Sequence, residues 1–158
     1  MTIIDKSTFA GCESLKQLKL PPNLIEIQYS AFCECKSLTE LEIPSTVTLI
    51  KRSAFSDCSS LKDITIPPSI TTIEYKSFFR CSSLTHITIP PLVKEIKVYS
   101  FCYCSSLKEI VIPPSITYLE RSAFSNCTSL KKIIIPPTIT QFDECPFSGC
   151  SALEEIII

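Results

Sequence analysis

Cys12, Cys35, Cys58, Cys81, Cys104, Cys127 and Cys150 follow one another at an unvarying interval of 23 residues. A strict period of this length marks a stack of like supersecondary units, each able to bury its apolar face only against its neighbours. That pattern excludes a compact domain built from unlike elements. It predicts a single elongated solenoid of about seven coils.

Aligned on the cysteine, other columns are equally regular. Three residues earlier stand Phe9, Phe32, Phe55, Phe78, Phe101, Phe124 and Phe147; three residues later stand Leu15, Leu38, Leu61, Leu84, Leu107, Leu130 and Leu153. Paired aliphatics follow, from Leu18/Leu20 through Ile64/Ile66 to Ile156/Ile158, and each pair before the last is followed by proline, as at Pro21, Pro67 and Pro136. The L-x-x-I-x-I alternation reads as a short strand that the proline ends. A second segment, as at Leu24/Ile27 and Ile70/Ile73, reads as a further extended edge. The i, i+3 spacing of Phe, Cys and Leu predicts a helical or 3₁₀ turn opposite. The expected fold is therefore a mainly β solenoid of 23-residue coils with short helical or 3₁₀ turns, its strands stacked as a parallel sheet.

Composition narrows the function classes. With 15 basic and 16 acidic residues there is no electrostatic reason to expect nucleic acid as a partner. No apolar run approaches the ~20 residues of a membrane span. The 12 prolines are mostly periodic and belong to the repeat. Met1 leads almost directly into repeat sequence, without a basic segment and apolar core of a secretory leader. Met1 falls in the Leu24 column, Ile4 in the Ile27 column, and Ile158 on the last strand column. Residues 1–158 thus read as one array with a partial coil at each end and no polar cap. The expectation is a segment of a longer array, or a protein that associates with itself end to end.

Leu15-x-x-Leu18-x-Leu20-x-x-Asn23 matches the L-x-x-L-x-L-x-x-N signature of leucine-rich repeats. More closely, Ser53-Ala54-Phe55-x-x-Cys58-x-x-Leu61-x-x-Ile64-x-Ile66-Pro67 resembles the BspA-like, treponemal-type leucine-rich repeats, over essentially the whole chain. The resemblance implies a curved solenoid of the kind found in microbial surface proteins that adhere to host matrix proteins and cells. Two departures stand out. Gln28, Lys51, Glu74, Lys97, Glu120 and Asp143 occupy a position where that family often carries Gly, so a different turn is expected there. Glu144-Cys145-Pro146-Phe147 replaces the usual Ser-Ala-Phe and predicts local irregularity.

The ten cysteines lack a C-x₂-C pair and the convergence that tetrahedral zinc requires, so no metal or other cofactor is expected. The in-register seven read as a column of buried free thiols filling the slot of a small hydrophobe. Cys33 and Cys102 share a register three coils apart, ~14 Å by strand spacing, too far to bridge. A small loop closed by Cys145 and Cys150 is left open. The single histidine, His86, lies on an outward strand position with no second acid or base, so no enzymatic activity is expected. Asn126-Cys127-Thr128 fits the glycosylation pattern, but Cys127 belongs to the core column.

Surface columns supply the candidate contacts. One outward strand ladder ends in Thr88, Val111, Ile134 and Ile157, an exposed apolar patch unless a further segment covers it. A second stripe contains Tyr29, Arg52, Tyr75 and Arg121, residue types enriched at interface hot spots and equally able to stack on one another. Two functions are compatible with these features. One is a protein-binding repeat domain of a microbial cell-surface protein, contacting host matrix or cell-surface protein. The other is a cytoplasmic interaction scaffold with reduced cysteines.

Overall fold

Proline after each aliphatic pair has no N–H to offer a ladder, so strands stay two or three residues long. The structure, a computed structural model, describes residues 1–158 and contains twelve strands. In chain order they are β1 (Ile3–Ile4), β2 (Glu26–Ile27), β3 (Glu40–Leu41), β4 (Leu49–Ile50), β5 (Asp63–Ile64) and β6 (Thr72–Ile73). Then follow β7 (Glu95–Ile96), β8 (Glu109–Val111), β9 (Tyr118–Leu119), β10 (Lys132–Ile134), β11 (Gln141–Phe142) and β12 (Glu155–Ile157). Every pairing is parallel and offset by one repeat, as Ile4 with Ile27 and Ile133 with Ile110 and Ile156. The fold is a parallel β-solenoid of about seven turns.

One side of the coil carries β3, β5, β8, β10 and β12; the other carries β1, β2, β4, β6, β7, β9 and β11. Neither sheet is continuous. On the first side β5 has no partner beyond β3, and on the second β4 does not pair with β6. The second side breaks between the coils of Cys58 and Cys81; on the first, residues 86–87 form no strand, so the gap between β5 and β8 extends from the coil of Cys58 to that of Cys104.

The core is one cluster of 41 buried residues drawn from the repeat columns. Phe32, Phe55, Phe78, Phe101 and Phe124 are fully buried, and rings of successive coils stack with centroids 5.2–5.7 Å apart from Phe9 to Phe147. The cysteines fill the slot beside this stack. From Cys35 to Cys150, each Sγ donates to the backbone carbonyl of Phe in the preceding coil at 3.1–3.3 Å. That carbonyl also accepts the N–H of the cysteine in its own coil: Phe55 O takes both the Cys58 N–H and the Cys81 Sγ–H. A thiol suits the slot because it is small and apolar yet has one weak proton to give.

The third part of the coil corrects an expectation: there is no helix. The arc from Cys−7 to Cys+3 is a series of turns in which alternate N–H groups close i→i+3 bonds and the others reach the next coil. Thus Ala54, Ser56 and Cys58 bond to Lys51, Ser53 and Phe55, whereas Ser53, Phe55 and Asp57 bond to Tyr75, Ser77 and Phe79. A helix would keep every N–H inside the coil and leave neighbouring arcs unpaired. Two left-handed residues per coil make the alternation possible: Ser53 (φ 56°) and Asp57 (φ 60°) here, Ser7 and Gly11 in the first coil. Gln28 and its equivalents, in the column where Gly was noted as usual, are not left-handed; the left-handed residue lies two positions later. The last coil keeps register despite its altered sequence, since Cys145 is left-handed (φ 51°) and Phe124 N–H bonds Pro146 O at 2.9 Å.

Candidate interaction surfaces

No buried side-chain nitrogen or oxygen lacks a hydrogen-bond partner, so the interior presents no polar group awaiting a ligand and contacts fall to the surface. The strand ladder comes first. In-register pairing sets Ile134 between Val111 and Ile157, making a short apolar row whose first member is 56% exposed. Thr88 stands outside that sheet, and its hydroxyl lies 3.4 Å from His86 Nε2. Acidic Glu109 and Glu155 border the row, with Lys132 bound to Glu155 at 3.2 Å.

The aromatic and basic stripe divides in two. Tyr29 receives Arg52 at 5.0 Å and Lys51 at 5.7 Å from its ring centroid. Tyr75 belongs to a separate group, meeting Tyr99 edge to face at 6.2 Å, and Arg121 lies 6.0 Å from Tyr99. Residues outside the stripe complete this second group. Lys76 stands 4.9 Å from the Phe79 centroid and 5.3 Å from Tyr75; Arg80 lies between Phe79 (5.2 Å) and Tyr103 (5.5 Å). Phe79 and Tyr103 meet edge to face at 5.9 Å. Sequence columns do not reveal Lys76, Phe79, Arg80, Tyr99 and Tyr103 as a group, because they come from three columns that only the turns of the arc bring together. The available signal was that bulky residues replace the Ser, Asp, Asn or Gly common in those columns.

The inner cysteines of the column are poor nucleophiles, whereas the half-buried Cys150 thiol at its end is held below its usual value by the Cys127 thiol. All ten cysteines are free thiols, and burial pushes Cys35 up to about 11 and raises Cys58, Cys81 and Cys104 further. No three or more His, Cys, Asp or Glu side chains converge in a way that would hold a metal ion.

A model of the BspA-type leucine-rich repeat region matches residues 1–106 and 73–158, in 6 copies. The chain belongs to the BspA-type leucine-rich repeat family. Among solved structures it is similar to the leucine-rich repeat protein of T. pallidum, with 29% identity, a TM-score of 0.88, and coverage of 96% of this chain and 71% of that one. It is also similar to a leucine-rich repeat protein from Bacteroides ovatus, at 28% identity and TM-score 0.70, over 90% of this chain and 45% of that one. A leucine-rich repeat protein from Eubacterium ventriosum shares the fold at 21% identity and TM-score 0.74, over 94% of this chain and 46% of that one. No protein of curated function matches. In BspA-type repeats the period fixes the core and leaves the outward columns free to vary, which marks this chain as a repeat interaction module. No helix in this BspA-type array is long and apolar enough to cross a membrane.

Proposed function

We propose that this chain is the non-catalytic, protein-binding part of a microbial cell-surface protein, engaging host matrix or cell-surface protein. The observation that carries the reading is a full-length BspA-type array whose surface columns present aromatic side chains with basic ones stacked on them. Val111, Ile134 and Ile157, with Thr88 beside them, form one candidate contact surface, and Tyr29, Arg52, Tyr75 and Arg121 form the other. Aromatic and arginine side chains are the usual anchors of protein interfaces. A cytoplasmic scaffold is the second reading, favoured by ten unbridged thiols, seven of them in one column, which suit a reducing compartment.

Binding of the purified chain to immobilised matrix glycoproteins and to host cells tests the first reading. The expected result is saturable binding, reduced at least tenfold by either Ile134→Asp or the pair Tyr75→Ala/Arg121→Ala, with both variants still folded. Absence of saturable binding across the panel would turn the assignment to the cytoplasmic scaffold.

A further inference from the structure

Elsewhere in the array the two left-handed positions of a coil hold short or polar residues, as Ser7/Gly11, Ser53/Asp57 and Ser122/Asn126. Two adjacent coils depart from this. Lys76 (φ 54°), Arg80 (φ 57°), Tyr99 (φ 57°) and Tyr103 (φ 62°) occupy those four positions. A β-carbon in this conformation crowds the following carbonyl, and long side chains bring no hydrogen bond of their own to offset it. Strain of this sort collects where side chains serve a ligand.

The four side chains, with Tyr75 and Phe79, form the continuous aromatic and cationic cluster described above. Rings flank the cations, and neither Lys76 nor Arg80 donates a side-chain hydrogen bond within the chain. Lys76 and Arg121 form no ion pair, and Arg80 meets only Asp57, at 3.8 Å. By contrast, Lys36, Lys97, Lys131 and Lys132 each lie 2.7–3.6 Å from a carboxylate. Beside the cluster a groove of about 310 Å³ runs along the solenoid axis, between Lys36 at one end and Tyr103 at the other, with Arg80 and, 3.8 Å from it, the carboxylate of Asp57 on its wall. Ser59, Ser82 and Ser105 line it in register. Their hydroxyl protons go to carbonyls of the preceding coil, so they turn oxygen lone pairs toward a ligand. The matching ligand has carboxylates for the cations, N–H donors for the serine oxygens and apolar side chains for the ring edges.

An extended acidic peptide has all three, and we propose that this groove and its cluster bind one, lying along the solenoid axis. Its carboxylates meet Arg80 and Lys76, and its apolar side chains rest against Tyr103 and Tyr99. Four coils at ~4.8 Å spacing span ~14 Å, about four extended residues. The proposal rests on the reading of the chain as a protein-binding module and names the chemistry of the segment it captures.

The test is fluorescence anisotropy of the full chain with a fluorescein-labelled peptide of alternating Glu and Leu, beside its Gln/Leu counterpart. The variant Lys76→Ser/Arg80→Asn/Tyr99→Ser/Tyr103→Asn installs residue types that other coils use there, so it keeps or raises the melting temperature. Arg80→Glu serves as a second, single variant. Expected are saturable binding of the Glu peptide that weakens with salt, and at least a tenfold loss in both variants and for the Gln peptide. Equal binding by the folded variants, equal binding of the Gln peptide, no saturation, or displacement by a sulfated glycan but not by unlabelled Glu peptide would each overturn it. Loss of peptide binding with matrix-protein binding intact defeats this inference alone; loss of both in the native chain defeats the proposed function as well.

Discussion

A single phenylalanine here has two identical neighbours, one ring above and one below, and nowhere to relax if it is removed. Phe78 is 1% exposed, with centroids 5.6 Å from Phe55 and 5.3 Å from Phe101. Phe78→Ala should cost about 3–5 kcal/mol in urea unfolding. The half-buried Phe147 should cost distinctly less; equal losses would refute stacking as the source. The thiols beside the rings carry a pH signature. Burial raises Cys35 from 9.0 to about 11 and pushes its inner neighbours up too. Below about pH 9 folded and unfolded chains both hold these protons, and stability has its full value. Between about pH 9 and pH 11 the unfolded chain releases protons that the folded chain keeps, so stability falls as pH rises. Urea midpoints should decline across that window, less steeply in Cys81→Ala. A slope unchanged by that substitution would show that the thiols are not its cause.

At the scale of the element, the bend after the first strand is held by a hydroxyl. Thr46, Ser69, Ser115 and Thr138 each donate to a carbonyl of the preceding coil, at Leu24, Val47, Val93 and Ile116. Leu92 takes that place in the coil of Cys104, 56% exposed and with no proton to offer the carbonyl of Ile70. Leu92→Ser should therefore stabilise the chain, by about 1 kcal/mol; a lower urea midpoint would show that the leucine is held by packing instead. Elements were unevenly legible in the sequence. Period-2 aliphatics closed by proline specify a strand, and stacking by a fixed period specifies its register. The arc was misread because Phe, Cys and Leu at i, i+3 fit a helix and a run of turns equally well. Its left-handed positions carry Ser, Glu, Lys or Tyr more often than Gly, so residue type did not betray them. The same ambiguity hid half of the aromatic cluster, whose members share a surface only once those turns are made.

For the whole molecule, the columns of the core run unbroken while the sheets do not. Between the coils of Cys58 and Cys81 the second strand side is unpaired, while Phe55–Phe78 stacking, the arc, and the bonds from Ser83 and Thr85 N–H to Ser59 and Lys62 O hold the two parts together. No residue column records this break, which is why the sequence reads as uniform. Native-state hydrogen exchange should show amides of Thr72–Glu74 exchanging faster than the paired amides of Glu95–Lys97, although both lie mid-array. Equal protection would mean the sheet is closed there in solution.

The arc bonds from Ser53, Phe55 and Asp57 to Tyr75, Ser77 and Phe79 remain at that level, 2.7–2.9 Å long. Mechanically the array is thus two stretches joined along the arc and open on the second strand side, like the boards of a book along its spine. Bending that opens the second strand side is soft at this level, and twisting or sliding is not. A pull along the axis parts the second strand side there first and turns the two stretches about the arc before any stacked ring is drawn out of its neighbour.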